Sequence, residues 1–207
     1  MNAKAKAVFL DKDGTLIDDV PHNTDPRLIA LSHQAGAGLR LFAERGYLLL
    51  VVSNQSGVAL GRFAESALAG VWRRLDLLLA REGVQVHGYY YCPHHPDGAT
   101  APYARACDCR KPLPGMLLRA AAEHNVDLSR SWMIGDILDD AEAGRRAGCK
   151  TVLIDNGNET EWMLSSLRMP DLIATDLHAA ALLADAYDRY GERERGRRHR
   201  PPAWRTR

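Results

Sequence analysis

Asp11 and Asp13, in the run Val8-Phe9-Leu10-Asp11-Lys12-Asp13-Gly14-Thr15, are the residues whose type and spacing most directly imply chemistry. These two carboxylates, one residue apart, close an apolar stretch, Ala7-Val8-Phe9-Leu10, that reads as a buried strand. Positions i and i+2 of a strand point to the same side, so extended geometry carried through Asp13 would turn both carboxylates into one space. Carboxylates held together repel one another and attract a cation, as a metal-assisted phosphoryl site requires. Gly14 lets the chain turn sharply and Thr15 follows at once. Asp and Gly are also ordinary turn residues, but the D-x-D-G-T pattern favours chemistry over a solvated turn.

Three further stretches could join this pair. In Val51-Val52-Ser53-Asn54-Gln55-Ser56-Gly57, Ser53 and Asn54 are small donors at a strand end, suited to a phosphate or to an ordinary polar loop. In Arg110-Lys111-Pro112, Lys111 offers a point cation for phosphate and Arg110 a fork; exposed basic residues are the plainer reading. Trp132-Met133-Ile134-Gly135 ends a strand before Asp136, which could complete an oxygen-ligated Mg²⁺ site or cap a helix. Asp139 and Asp140 complement a helix dipole, and Asp140 could also support the metal ligands from behind.

Of the four cysteines, Cys92, Cys107 and Cys109 cluster beside His94 and His95. The pairs Cys92-x-His94 and Cys107-x-Cys109 supply thiolate and imidazole at spacings that suit a closed, structural Zn²⁺ site. Such a metal would order a loop of about 20 residues that has no regular structure of its own. His95 rivals His94 on local sequence. Cys149, before an apolar strand, reads as a small core residue.

These residues need a scaffold. Apolar runs at Ala7–Leu10, Tyr47–Val52, Gly88–Tyr91, Ser131–Ile134 and Thr151–Ile154 alternate with helical periodicity over 34–45, 63–82, 114–125, 137–147 and 177–190. The alternation predicts an α/β fold, a doubly wound parallel sheet with helices on both faces. Ligands of such sheets bind beyond the carboxyl ends of the strands, which places the residues after Leu10, Val52 and Ile134 on one rim. One domain is expected over 1–190, with 191–207 a basic, disordered tail. Of 27 Lys and Arg and 26 Asp and Glu, the tail holds seven Arg and two Glu, so it is +5 and the body −4. A mildly acidic body argues against a nucleic-acid partner. No apolar run reaches the roughly 20 residues of a membrane span, and Met1–Lys6 lacks the apolar core of a secretory signal. A cytoplasmic monomer is expected.

In their order, these motifs resemble those of the haloacid dehalogenase superfamily of phosphatases, over about residues 6–190. Tyr90-Tyr91-Cys92-Pro93-His94-His95-Pro96 with Cys107-Asp108-Cys109-Arg110-Lys111-Pro112 is similar to its group without a large cap domain, which includes heptose bisphosphate and histidinol-phosphate phosphatases. Ser53-Asn54-Gln55-Ser56-Gly57-Val58 leans toward the heptose enzymes. The resemblance implies a Rossmann-like fold with a zinc-binding loop at about 92–109. It implies Asp11 as nucleophile, and Asp13 as acid toward the leaving oxygen and then base toward water. Mg²⁺ would be held by the carboxylates of Asp11 and Asp136 and the backbone carbonyl of Asp13. Ser53, Asn54 and Lys111 would hold phosphate, Arg110 would contact substrate, and Thr15 would brace the Asp11 loop. The zinc ligands would be Cys92, His94, Cys107 and Cys109. The implied substrate is a small sugar phosphate, foremost a heptose bisphosphate.

Two positions depart from the heptose pattern. Ile137 follows Gly135-Asp136 where Lys is usual, and Leu60 precedes Gly61 where Arg is frequent, leaving Arg62 as a possible substitute. A reading from another class, a zinc-stabilised binding module with a basic tail, leaves the Asp11, Asp13 and Asp136 combination without a use.

Overall fold

The computed structural model describes residues 3–198. The strands are β1 (Lys6–Leu10), β2 (Tyr47–Asn54), β3 (Gly88–Cys92), β4 (Trp132–Gly135), β5 (Lys150–Ile154) and β6 (Leu172–Ala174). The helices are α1 (Ala35–Glu44), α2 (Leu68–Arg81), α3 (Gly115–Glu123), α4 (Leu138–Ala147) and α5 (Leu177–Arg198). The strands form one six-stranded sheet in the order β3-β2-β1-β4-β5-β6. Every neighbouring pair is parallel.

The pleat of β1 explains the two-sided covering. Val8 and Leu10 face a core built with Leu39 and Phe42 of α1, Val71 and Leu75 of α2, and Ala180 and Ala184 of α5. Ala7 and Phe9 face the opposite core, with Met116 and Leu117 of α3 and Ala143 and Ala147 of α4. These four side chains of β1 are fully buried, so the strand reads as a continuous apolar run rather than an alternating one. The doubly wound architecture is as the sequence predicts.

Most element ends differ from expectation by one or two residues, and three differences are larger or bear on the site. β6 has three residues, too few for a recognisable pattern, and was not expected. β2 continues to Asn54 because Ser53 and Asn54 pair with Tyr91 and Cys92. α5 extends past Tyr190 to Arg198, into the expected tail; from His199 onward that tail lies outside the described residues. Among the described residues, no helix is long and apolar enough to cross a membrane.

The strand order reverses about β1, which has β2 on one side and β4 on the other. In open parallel sheets the crevice at such a reversal, beyond the carboxyl ends, is where ligands bind. Asp11 and Asp136 are the residues that immediately follow β1 and β4.

Candidate active site

Asp11 is held by the end of the sheet. Its N–H donates to the Ile134 carbonyl at 2.9 Å, one residue beyond the β1 ladder. Extended geometry stops there. The N–H groups of Leu16 and Ile17 both donate to the Lys12 carbonyl at 3.0 Å, closing a turn over residues 12–17. A turn, and not the strand pleat, therefore sets the Asp13 side chain, and the two carboxylates take different partners. The Asp11 carboxylate turns inward to Lys111, whereas that of Asp13 meets Lys12 Nζ at 2.5 Å and accepts from Gln55 Nε2 at 3.0 Å. Gly14 makes the turn possible. Its φ is +80°, and a Cβ there would fall 2.2 Å from Asp136 Oδ2 and 2.4 Å from Asn158 Nδ2.

Asp136 is fixed from both sides. Thr15 Oγ1 donates to its Oδ1 at 2.9 Å, and Asn158 Nδ2 donates to its Oδ2 at 2.8 Å. Asn156 Nδ2 donates to the Gly14 carbonyl at 2.7 Å, so the segment after β5 braces the turn and the aspartate together. Sequence reasoning missed Asn156 and Asn158. Asn-Gly-Asn is an ordinary turn signal, and nothing local ties it to Gly14, 142 positions away, or to Asp136, 22 positions away.

Lys111 is 2% exposed, which removes the surface-residue reading. Its ammonium pairs with Asp11, lies 2.6 Å from Asp140 Oδ1, and donates to the Val52 carbonyl at 3.1 Å. Asn54 holds its backbone reciprocally: Lys111 N donates to Asn54 Oδ1 and Asn54 Nδ2 donates to the Lys111 carbonyl, both at 3.0 Å. Asn54 thus spends its amide on positioning Lys111. Ser53 Oγ accepts from Gln55 Nε2 at 2.8 Å. Arg110 has an Nη1 that is buried and without a hydrogen-bond partner.

Ligand oxygens of Asp11, Asp136 and Asp140 lie within 4.8 Å of one another, a cluster that could hold one hard cation. The side chain of Asp13 is outside it. Asp140 is engaged by Lys111 on Oδ1 and by the Ile137 N–H on Oδ2 at 3.3 Å, and it is the most deeply buried of the three. Three buried carboxylates face one ammonium. Burial first, offset by Lys111 but reinforced by Asp140 and Asp13, raises Asp11 to about 7. Burial and the charge of Asp11 raise Asp136 to about 6. Burial, partly opposed by Lys111, raises Asp140 to about 6. For Lys111 burial acts downward, but Asp11 and Asp140 outweigh it and raise its pKa.

The sign of the resulting linkage is testable. Acids with raised folded pKa values stabilise the metal-free fold at low pH, and that contribution is lost as pH rises through about 6 to 7. A bound cation needs the ionised forms. Excess Mg²⁺ should therefore raise the melting temperature by roughly 5–10 °C at pH 8 and by little at pH 5. Equal shifts at the two pH values in zinc-replete buffer would contradict this assignment.

The second cluster lies at the end of β3. Its sulfur–sulfur distances are 3.5 Å for Cys92–Cys107, 3.1 Å for Cys92–Cys109 and 3.3 Å for Cys107–Cys109. His94 Nδ1 lies 3.6 Å from Cys92 Sγ and 3.4 Å from Cys109 Sγ. A tetrahedral zinc centre has ligand–ligand edges of about 3.5–3.8 Å, so these four groups fit a closed site with slight expansion. His95 Nδ1 instead accepts from the Asp97 N–H at 3.1 Å, so His94 is the histidine facing the thiols.

The cysteine loop is laced to the segment after β2. Gln55 N–H donates to the Cys92 carbonyl at 2.8 Å and Ala59 N–H to the Pro93 carbonyl at 3.2 Å. Ala99 and Thr100 both donate to the Ala59 carbonyl, at 2.8 and 3.0 Å. Glu65 accepts from the hydroxyls of Tyr91 at 3.0 Å and Tyr103 at 2.6 Å.

Residues 108–180 match the HAD-hydrolase-like family. The chain is 39% identical over 178 residues to the D-glycero-beta-D-manno-heptose-1,7-bisphosphate 7-phosphatase of Yersinia pestis, covering 81% of this chain and 94% of the relative. It is 43% identical over 155 residues to the protein of that name from Pasteurella multocida, covering 73% and 83%. Among solved structures, a protein described as an HAD-like phosphatase from Mesorhizobium loti superposes with a TM-score of 0.77 at 35% identity, covering 88% of this chain and 87% of that one. The D,D-heptose 1,7-bisphosphate phosphatase of B. bronchiseptica, solved with magnesium and phosphate, superposes with a TM-score of 0.70 at 28% identity, covering 86% and 97%. The rim carboxylates, the buried lysine and these relatives agree: the chain is an HAD-like phosphatase, belonging to the family of the D-glycero-beta-D-manno-heptose-1,7-bisphosphate 7-phosphatases.

Proposed function

We propose that this phosphatase removes the C7 phosphate of a D-glycero-D-manno-heptose 1,7-bisphosphate in a Mg²⁺-dependent reaction through an aspartyl-phosphate. The observation that carries the reading is the Asp11 carboxylate, placed by the ends of β1 and β4 and held by Lys111 beside Asp136 and Asp140. Asp11 and Asp136 would hold Mg²⁺, with the backbone carbonyl of Asp13. The ion supplies charge screening between an anionic nucleophile and an anionic ester.

A carboxylate oxygen of Asp11 attacks phosphorus and the bond from phosphorus to the sugar oxygen breaks, while Asp13 gives that oxygen its proton. Asp13, now ionised, takes a proton from water as the water oxygen attacks phosphorus. The bond to Asp11 breaks and inorganic phosphate leaves. The placement of Asp13 supports this division of labour: its side chain is 32% exposed and turned from the metal cluster toward an open cleft. In this reading the Ser53 hydroxyl and the Lys111 ammonium would hold oxygens of the transferred phosphoryl group. Arg110, whose Nη1 is buried without a hydrogen-bond partner, would contact the substrate.

A substrate panel tests this. Heptose 1,7-bisphosphate should be hydrolysed with a kcat/KM at least tenfold above those of histidinol phosphate and common hexose phosphates. A preference for histidinol phosphate would replace the substrate assignment.

Zn²⁺ would be held by Cys92, His94, Cys107 and Cys109, with no open position for substrate. Its role is to set Arg110 and Lys111, which follow Cys109 directly. Cys107→Ser should lose bound zinc, measured by elemental analysis, lower the melting temperature by about 10 °C and reduce turnover at least tenfold. A zinc-free variant with full activity would remove this role.

A further inference from the structure

We propose that the end of the sheet opposite the catalytic rim holds a second, non-catalytic site that binds a compact oligophosphate. Parallel topology that gathers the carboxyl ends of the strands at one rim gathers their amino ends at the other. Lys6 and Tyr47, the first residues of β1 and β2, are register partners. Lys150, the first residue of β5, is paired with Trp132, the first of β4. Arg130 lies two residues before β4. Because β2, β1, β4 and β5 are neighbours in the sheet, these starts fall side by side. At about 3.3 Å per residue, the length of β1 sets them roughly 16 Å from Asp11.

An open cavity of about 520 Å³ lies here, within the size range of small-molecule sites. Lys6, Arg130 and Lys150 line it, with the rings of Tyr47 and Tyr187 and the carboxylate of Asp188. Lys6, Tyr47 and Asp188 also line a second cavity of about 370 Å³, which adds Arg45, Arg189 and Asp185. Among the described residues lining the two, five cations face two carboxylates, in a body that is −4 overall.

Both carboxylates are already spent. Asp188 accepts from the Tyr47 hydroxyl, from Trp132 Nε1 at 3.1 Å and from the Lys150 ammonium. Asp185 accepts from Arg45 Nε at 2.7 Å and from Arg189. They anchor the surrounding side chains and leave an excess of three positive charges. Aromatic faces fix the ammonium groups further. Lys6 Nζ lies 4.0 Å from the centre of the Tyr47 ring, and Lys150 Nζ 4.4 Å from that of Trp132. Tyr187 packs edge-on against Trp132, with ring centres 5.5 Å apart. Cations held in this way lose little freedom when an anion arrives, so more of the attraction appears as affinity. An excess of fixed positive charge around one open space suits a ligand with several closely spaced negative charges. Phosphate oxygens match both ammonium and guanidinium donors.

Titration calorimetry on the zinc-loaded protein in Mg²⁺-free buffer tests this with inorganic tripolyphosphate and with ATP. The two share a phosphate chain. Equal affinities would define a phosphate site, and tighter binding of ATP a nucleotide site. Without Mg²⁺ the catalytic crevice, with three carboxylates against one ammonium, repels both probes. Binding of at least one probe, at one per chain, is expected. Arg130 is exposed, so Arg130→Glu reverses a charge without touching the core. It should weaken binding at least tenfold and move the melting temperature by no more than about 2 °C. Lys6→Gln should also weaken binding, whereas Ser53→Ala, on the catalytic rim, should leave the affinity within twofold. No binding of either probe, affinity retained in Arg130→Glu, or affinity lost in Ser53→Ala would overturn the proposal.

Discussion

Asp11→Asn should lower kcat by about 10⁴-fold or more while the protein stays folded with its zinc in place. The amide matches the carboxylate in size but cannot form the acyl phosphate. The effect on stability is set by the charge count in the crevice. Three buried carboxylates share one ammonium there. Removing one negative charge leaves Lys111 paired with Asp140 at 2.6 Å and bonded to the Val52 carbonyl at 3.1 Å. In Mg²⁺-free buffer at pH 7 the variant should therefore melt no lower than the parent, and Mg²⁺ should stabilise it less. Single-turnover assays with thermal unfolding check both parts. Residual activity above about one per cent would remove Asp11 from the nucleophile's place.

Lys111→Met should behave oppositely. It keeps most of the side-chain volume but strands Asp11 and Asp140 without a counter-charge in a site where both are buried. Removing one member of a buried ionic group costs about 3–5 kcal/mol, so urea unfolding should shift by that amount and turnover should be lost. Adding Asp140→Asn should recover much of the stability and none of the activity, because the two residues share one interaction and their effects cannot add. If the single variant is as stable as the parent, the ammonium is not balancing those carboxylates.

Much of this site was legible in the chain because its parts carry strong local signatures. The apolar run ending at Leu10, the small residues after Val52 and the Gly135-Asp136 pair each sit at the end of a strand, and parallel topology brings such ends to one rim. The two C-x-[HC] pairs were equally plain. What stayed hidden depends on long-range packing. Burial of Lys111 requires Asp11, 100 positions away, and Asp140 from another helix. The choice between His94 and His95 turned on a backbone N–H bond at Asp97. The partners of Asp13, Lys12 and Gln55, were hidden as well, because a turn closed on the Lys12 carbonyl sets its side chain and not the strand pleat.

The backbone lacing between the cysteine loop and residues 55–59 has a consequence for exchanging parts between relatives. With Gln55, Ala59, Ala99 and Thr100 spending their N–H groups across the junction, the two segments should open and close as one cooperative unit. A chimera that imported only 92–111 from a homologue would have to rebuild those bonds with a foreign partner. Transplanting both segments together keeps the seam intact, and amide exchange across it would rise or fall in concert.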